Sequence, residues 1–207
     1  MSGRPPAPTG PPALPRRLQL VLIAVLFLGP LAFAFWAYYG VALRPSGRTN
    51  HGQLIEPARP LPELPLATAG GASSVRTLLT GRWSLVYIAD AGCDAGCRQA
   101  IEQTRAIRAA LGAEATRVRR VLLALAPCCE LATREAAGSE VAVAFITGAD
   151  ARRLLEAFPD YGVPVATAQR LYLVDPLGNL MMSYAPGAPP TGAIKDLERL
   201  LRLSHIG

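Results

Sequence analysis

The residues of this sequence best suited to chemistry are two cysteines that lie four positions apart. Cys93 and Cys97 are separated by Asp94, Ala95 and Gly96, at the junction between a predicted strand and a predicted helix. If the chain turns into the helix near Cys93, the two sulfurs lie about one helical turn apart on one side. They are then close enough to share a metal ion or, with local adjustment, to form a disulfide bond. Backbone N–H groups at the helix start favour the thiolate, the form that binds metals and attacks disulfides.

A plainer interpretation of this pair stays open, in which both cysteines are small buried hydrophobic residues or form a purely structural disulfide. We favour a functional pair because the spacer contains polar and glycine residues. In addition, the carboxyl edge of the sheet is where open α/β folds place their sites.

The second pair, Cys128 and Cys129, consists of adjacent residues that follow a predicted strand over 118–125. We therefore expect it at the same edge of the sheet as the first pair. A bond between the two is not expected, because adjacent Cα atoms are about 3.8 Å apart and disulfides usually need about 4.4 Å or more. Either one of them faces Cys93 or Cys97, as a resolving thiol or a third ligand, or one is buried and the other exposed.

Histidine is nearly absent from the chain. His51 and His205 are the only two, and none occurs between residues 52 and 204. A zinc site usually combines three or four His and Cys ligands, so the composition argues against one. We expect each histidine to be a surface residue.

An alternation of short apolar runs and amphipathic stretches must position the cysteines. The pattern predicts three strands, three helices and a hairpin, over 83–89 (strand), 97–111 (helix), 118–125 (strand), 141–147 (strand), 150–158 (helix), 171–184 (hairpin) and from Thr191 onward (helix). Parallel strands joined by helices, with a hairpin near the end, indicate an α/β protein of the thioredoxin-like kind, with a mixed central sheet and flanking helices.

An uncharged apolar run precedes this domain over residues 18–43, where 22 of the 26 residues are hydrophobic. As a helix it would be about 39 Å long, which exceeds the roughly 30 Å hydrocarbon core of a bilayer, so it predicts one transmembrane helix. The alternative is a cleaved signal peptide, because Ala32-Phe33-Ala34 has the small-x-small form of a cleavage site. The length of the run favours an uncleaved anchor.

The flanking segments complete the organisation. Residues 1–17 predict a disordered, proline-rich tail, 44–72 a proline-rich linker that runs extended or pairs at a sheet edge, and 73–207 the thioredoxin-like domain. Three arginines precede the span and two follow closely, which favours a cytoplasmic amino terminus. The domain would then lie on the outer, periplasmic side of the inner membrane. Those three arginines also supply half of the net charge of +6, and we predict no nucleic-acid partner.

Three segments resemble the Sco/SenC family of membrane-anchored, thioredoxin-like proteins. They are residues 78–87 leading into Cys93-x3-Cys97, residues 171–180 (LYLVDPLGNL), and Asn50-His51-Gly52 followed by Gln53-Leu54 after the apolar span. The resemblance extends over about residues 18–203. It implies an exported domain that helps to build the copper centre of a respiratory oxidase, by delivering copper or by reducing cysteines. The partners it implies are an oxidase subunit or another assembly factor.

The resemblance also implies a metal site, in which two C-x3-C thiolates bind copper together with a histidine before the last hairpin. The thiolates correspond to Cys93 and Cys97, but Thr167 stands about where the histidine would fall, and Asp94 replaces a proline common after the first cysteine. Two thiolates still suit soft Cu(I), whereas a three-ligand site has lost its imidazole. The departure favours thiol chemistry over copper binding.

Three functions follow as hypotheses. The first is a factor of oxidase assembly that acts as a thiol–disulfide oxidoreductase at Cys93 and Cys97, with transient Cu(I) binding. The second is a non-catalytic, membrane-anchored interaction module that keeps the fold without the chemistry. The third is a peroxiredoxin-like peroxidase, which is disfavoured because Arg98 is the only suitable thiolate partner near the pair.

Overall fold

The structure is a computed structural model of the chain, and it describes residues 15–39, 50–68, 70–90, 93–125, 139–204 and 206. The chain divides into two compact units, Met1–Arg48 and Thr49–Gly207, which are treated separately below.

The first unit contains one long helix, α1, over Arg16–Tyr39. Its 24 residues correspond to about 36 Å, and the stretch Arg16–Trp36 is long and apolar enough to cross a membrane. Pro30 lies inside the helix, and almost all of the described side chains are exposed. The predicted span over 18–43 therefore corresponds to this helix up to Tyr39, while residues 40–43 lie outside the described part of the chain.

In the second unit the described residues form one mixed sheet of eight strands, in the order β1-β8-β7-β4-β5-β6-β2-β3. The strands β4, β5 and β6 are parallel to one another, and the other neighbours pair antiparallel. Their bounds are β1 Gln53–Pro60, β2 Pro65–Thr68, β3 Gly71–Ser74, β4 Trp83–Ala89, β5 Val118–Ala124, β6 Val141–Phe145, β7 Leu171–Val174 and β8 Asn179–Tyr184. This mixed sheet confirms the predicted α/β class.

In the described part of this unit, four helices flank the sheet, and the core forms two layers. Their bounds are α2 Val75–Leu79, α3 Ala95–Ala110, α4 Gly148–Leu155 and α5 Pro190–Leu203, with short 3-10 turns over Gly112–Arg117 and Val165–Thr167. The buried residues of α3 and α5 pack on one face of the sheet, and those of α2 and α4 belong to the cluster on the other face.

The central strand β4 has all seven residues buried. Leu85 and Tyr87 belong to the cluster with α3, whereas Val86 and Ile88 belong to the cluster with α2 and α4. This alternation follows from the period of two along a strand, and burial on both faces explains why the sequence is apolar throughout. The strand ends at Ala89, so its carboxyl end delivers the chain to the first cysteine pair.

The proline-rich stretch assigned to the linker contributes strands to this sheet. β1 pairs antiparallel with β8 at the edge, which is one of the two arrangements expected for it, and its register shifts between Leu54 and Arg59. Proline is tolerated on an edge strand because the unpaired side of that strand needs no N–H donor. The described sheet accordingly begins at residue 53, within the stretch predicted as the linker.

Candidate functional site

The first cysteine pair lies at the carboxyl end of β4, where the chain turns into α3. A disulfide bond joins Cys93 to Cys97, whose Cα atoms are 5.1 Å apart. The helix begins at Ala95, between the two cysteines, so Cys97 lies in its first turn. The pair thus occupies the strand-to-helix corner at which open α/β folds place reactive groups.

Asp94 fixes the conformation of the segment between the two cysteines. It is the N-cap of α3, and its carboxylate accepts a hydrogen bond of 2.8 Å from the backbone N–H of Cys97. A carboxylate at this position satisfies a free N–H group and interacts favourably with the helix dipole. The guanidinium of Arg98 donates to the backbone carbonyl of Cys93 at 3.2 Å, which ties the residue before the cap to the same helix.

The two sulfurs differ in accessibility. Cys97 is 1% exposed and belongs to the core cluster under α3, whereas Cys93 is partly buried and packs against that cluster from outside. A thiolate must be reached before it can attack, so Cys93 is the sulfur that another molecule would meet first.

A loop from a distant part of the sequence packs against this pair. Gln169 precedes β7, and its backbone has a φ of +49°, a left-handed conformation that is uncommon outside glycine. Its side chain lies so close to Gly96 that a Cβ atom on this glycine would be 2.7 Å from the amide nitrogen of Gln169. The resemblance had indicated Thr167 as the residue at the place of the missing histidine. Gln169 was not predicted, because neither periodicity nor residue type marks a loop that becomes adjacent only on folding.

A pocket of about 240 Å³ opens beside the disulfide, between the end of β4 and this loop. It is lined by Tyr87, Ile88, Ala89, Asp90, Asp94, Ala166, Thr167 and Gln169. Burial, together with the negative charge of Asp94, raises the pKa of Tyr87 to about 12, so the phenol is protonated at neutral pH. The pocket therefore combines a hydrogen-bond donor with two carboxylates.

Three of the remaining candidates from the sequence are not described by the structure. Cys128, Cys129 and His205 fall outside the described residues. Among the residues that the structure describes, no group of three or more His, Cys, Asp or Glu side chains is arranged to hold a metal ion.

His51 is half-exposed, as expected for a surface residue, but it takes part in a network that the sequence did not reveal. Its backbone N–H lies 3.0 Å from both carboxylate oxygens of Asp196, a residue of α5 that is 5% exposed, and its ring Nδ1 lies 3.1 Å from one of them. The same carboxylate accepts the N–H of Gly52 at 2.8 Å and the hydroxyl of Tyr184 at 3.2 Å. Asp196 thereby fastens the segment before β1 to α5 and to the end of β8.

Comparison with known proteins gives one match among protein families. The family model described as "Transmembrane-like, thioredoxin-like, C-terminal domain" matches residues 83–204, which run from the start of β4 to the end of α5. Comparison by sequence with curated proteins gives no significant match.

Solved structures with the same fold include copper-binding and thiol-redox proteins. Arabidopsis thaliana ScoI with copper bound is 11% identical, with a TM-score of 0.57, and the match covers 70% of this chain and 99% of that one. For yeast Sco1 the identity is 13%, the TM-score 0.59 and the coverage 72% and 98%. The thioredoxin domain of a thiol-disulfide oxidoreductase from Bacteroides vulgatus is 19% identical, with a TM-score of 0.51 and coverage of 68% and 94%. These likenesses confirm the thioredoxin-like, Sco-type fold.

Proposed function

The chain belongs to the family of transmembrane-like proteins with a thioredoxin-like C-terminal domain, and from this premise we propose that it is a membrane-anchored thiol–disulfide protein acting through Cys93 and Cys97. The observation that carries the proposal is the disulfide at the carboxyl end of β4, in which Cys93 is partly exposed and Cys97 is buried. A single-pass anchor through α1 holds the domain at the membrane.

The proposed reaction is exchange between the dithiol of this chain and a disulfide of its partner. The Cys93 thiolate attacks one partner sulfur, so the partner S–S bond breaks as a mixed disulfide forms, and the leaving partner thiolate takes up a proton. Cys97 then attacks the sulfur of Cys93, which closes the intramolecular disulfide and releases the second partner thiol. Two electrons and two protons pass to the partner, and an external dithiol restores the starting state.

We place this chemistry in the assembly of the copper centre of a respiratory oxidase, with an oxidase subunit or another assembly factor as the partner. The support is the fold shared with copper-bound ScoI and with Sco1. The arginine distribution around α1 favours a cytoplasmic amino terminus, and so a domain on the outer side of the inner membrane.

Copper fits this site only as a transferred Cu(I) ion that the thiolates of Cys93 and Cys97 bind. The reduced pair offers two soft sulfur ligands, which suit Cu(I). The loop that faces the pair contributes Thr167 and Gln169, whose hydroxyl and amide groups are poor ligands for a soft ion. A three-ligand site with an imidazole does not fit these residues, so the thiol reaction is the better supported activity.

We also propose that one of Cys128 and Cys129 exchanges with the first pair as a resolving thiol. The support is the end of β5, where the N–H of Leu125 donates to the carbonyl of Ala89 at 2.9 Å. The chain therefore leaves β5 beside the end of β4, three residues before Cys128.

The test compares two double variants that remove equal numbers of thiols. Cys93→Ser/Cys97→Ser is expected to abolish two-electron titration of the first pair by a dithiol and to lower oxidase activity in membranes. Cys128→Ser/Cys129→Ser is expected to keep that titration and to lose only the disulfide that Cys128 or Cys129 would form with the first pair. A Cys97→Ser/Cys128→Ser/Cys129→Ser variant should accumulate a mixed disulfide with the partner, because Cys93 remains partly exposed and no second thiol of the chain can resolve the adduct.

The outcomes separate the hypotheses. Full oxidase activity in the Cys93→Ser/Cys97→Ser variant would reject the role in oxidase assembly while leaving the thiol activity in place. If the full chain in detergent shows no reversible thiol titration and binds no Cu(I), the thiol proposal fails and the non-catalytic interaction module is supported. Consumption of peroxide with dithiothreitol as reductant would instead support the peroxidase.

A further inference from the structure

The pocket beside the disulfide carries a negative charge that the exchange reaction itself does not need. Asp90 follows β4 directly, and its side chain is exposed at the rim of the pocket. Asp94 is also exposed, and it uses one oxygen to cap α3. Both carboxylates therefore lie at the approach to Cys93. An attacking thiolate or an acidic partner would be repelled there, whereas a cation would be attracted.

Tyr87 provides a second, independent sign that the pocket receives a polar group. It is only 5% exposed, it lines the pocket, and its hydroxyl makes no hydrogen bond to any other residue that the structure describes. The residue is buried as a whole while it lines the pocket, so its hydroxyl is available to a polar group that enters.

The size of the pocket restricts what that ligand can be. Pockets for small molecules and cofactors usually have volumes of about 300–1,000 Å³, and this one has about 240 Å³. It therefore has room for a single side chain of a docking protein rather than for a cofactor.

We propose that this pocket receives a cationic side chain, lysine or arginine, which lies next to the reactive cysteine of the partner protein. Asp90 and Asp94 attract the cation, and the Tyr87 hydroxyl oxygen accepts a hydrogen bond from it. The proposal rests on the proposed thiol–disulfide function and adds the partner class, a disulfide flanked by positive charge. The exchange steps are those given above.

The charge of the rest of the protein helps to distinguish a local effect of Asp90 and Asp94 from a general electrostatic attraction. Residues 49–207 contain 16 Lys and Arg against 15 Asp and Glu, a net charge of +1, and Arg98 lies beside Cys93, so the overall charge of this unit does not favour a cationic partner. A preference for cations can arise only from groups close to the disulfide. It should also fade with added salt, because exposed charges are screened within about 10 Å at 0.1 M ionic strength.

The experiment uses the full chain in a neutral detergent, with Cys128→Ser/Cys129→Ser so that only the first pair reacts. The reduced protein is mixed with cystamine, hydroxyethyl disulfide or dithiodiglycolate, which are cationic, neutral and anionic, and disulfide formation is followed by mass spectrometry. Each rate is divided by the rate of the same reagent with 2-mercaptoethanol, which removes differences in intrinsic reactivity. Three variants alter the pocket: Asp90→Asn, Asp94→Asn and Tyr87→Phe. The control is Glu114→Gln, which removes one negative charge just before β5, at the opposite edge of the sheet.

At low ionic strength we expect the normalised rate with cystamine to exceed that with dithiodiglycolate about tenfold. Asp90→Asn and Asp94→Asn should each reduce this ratio several-fold, the latter without loss of the cap because an amide oxygen also accepts the Cys97 N–H. Tyr87→Phe should slow the cationic reagent without favouring the anionic one, and Glu114→Gln should leave the ratio unchanged. Equal rates, or a preference for the anion, would overturn the inference, whereas failure of all three reagents to react would overturn the proposed function instead.

Discussion

The buried carboxylate of Asp196 offers a test of how the structure is held together. Asp196→Ala is expected to lower the free energy of unfolding by about 4 kcal/mol. Two donors remain buried without an acceptor, the N–H of Gly52 and the hydroxyl of Tyr184, which is 4% exposed. Each stranded donor costs about 1–3 kcal/mol, and a midpoint of about 2 for each gives the total. The N–H of His51, in a half-exposed residue, can bind water instead.

The assay is urea unfolding of the full chain in a mild detergent, followed by tryptophan fluorescence. Because the chain has only two tryptophans, a Trp36→Phe background makes Trp83 the single reporter, and this residue is 3% exposed in the core. Asp196→Asn keeps one carbonyl oxygen and should cost about half as much. Glu198→Ala, on an exposed position of the same helix, is the matched control and should change stability by about 0.5 kcal/mol or less.

A double-mutant cycle isolates the hydrogen bond between Tyr184 and Asp196. Tyr184→Phe removes the hydroxyl, so Asp196→Ala should cost about 2 kcal/mol less in that background. A cost of less than about 1 kcal/mol for Asp196→Ala alone, or the same cost in both backgrounds, would refute the assignment of this carboxylate as an obligatory acceptor.

Three further predictions concern the site and its support. Asp94→Ala should lower stability by about 1 kcal/mol, because Cys97 loses its N-cap acceptor, and Asp94→Asn should largely restore it in the same urea assay. Arg120→Ala should lower stability by about 3 kcal/mol, because this residue is 1% exposed and makes three hydrogen bonds, and Arg120→Met should cost less. Burial is the main cause that raises the pKa of Tyr87 and of Tyr172 from the ordinary value of 10.0 to about 12. The folded state therefore favours the protonated phenols, and this contribution to the free energy of unfolding is present below pH 10 and lost as the pH rises towards about 12. The urea midpoint should fall across that range, and less steeply in a Tyr87→Phe variant.

Elements of the fold that depend on a pattern of neighbouring residues could be predicted from the sequence. The apolar run over 83–89 predicted the central strand with its observed bounds, and the tight hairpin after Val174 was equally clear. The short helix α4 begins at Gly148, with Thr147 as its N-cap, rather than near Asp150, because any of several residues in that stretch is a suitable start. The pairing of β1 with β8 depends on a partner about 120 residues away, which no local pattern encodes.

The same contrast applies to the candidate site. The position of Cys93 and Cys97 at a strand-to-helix corner followed from their place between two recognisable elements. The approach of Gln169 to Gly96 could not be predicted, because it depends on a left-handed residue in an irregular loop. The capping role of Asp94 was equally hidden, since the predicted helix began two residues after the observed start at Ala95.

The two prolines of β1 matter for a protein fixed in a membrane. Anchored copies diffuse in a plane, where they meet more often than they would in free solution, and an open sheet edge could then nucleate aggregation. Pro57 and Pro60 have no N–H to offer to a second chain, and the strand at the other edge, β3, is only four residues long. Both borders of the sheet are therefore poor templates for growth, which should keep neighbouring copies apart and leave the cysteine pair available to its intended partner.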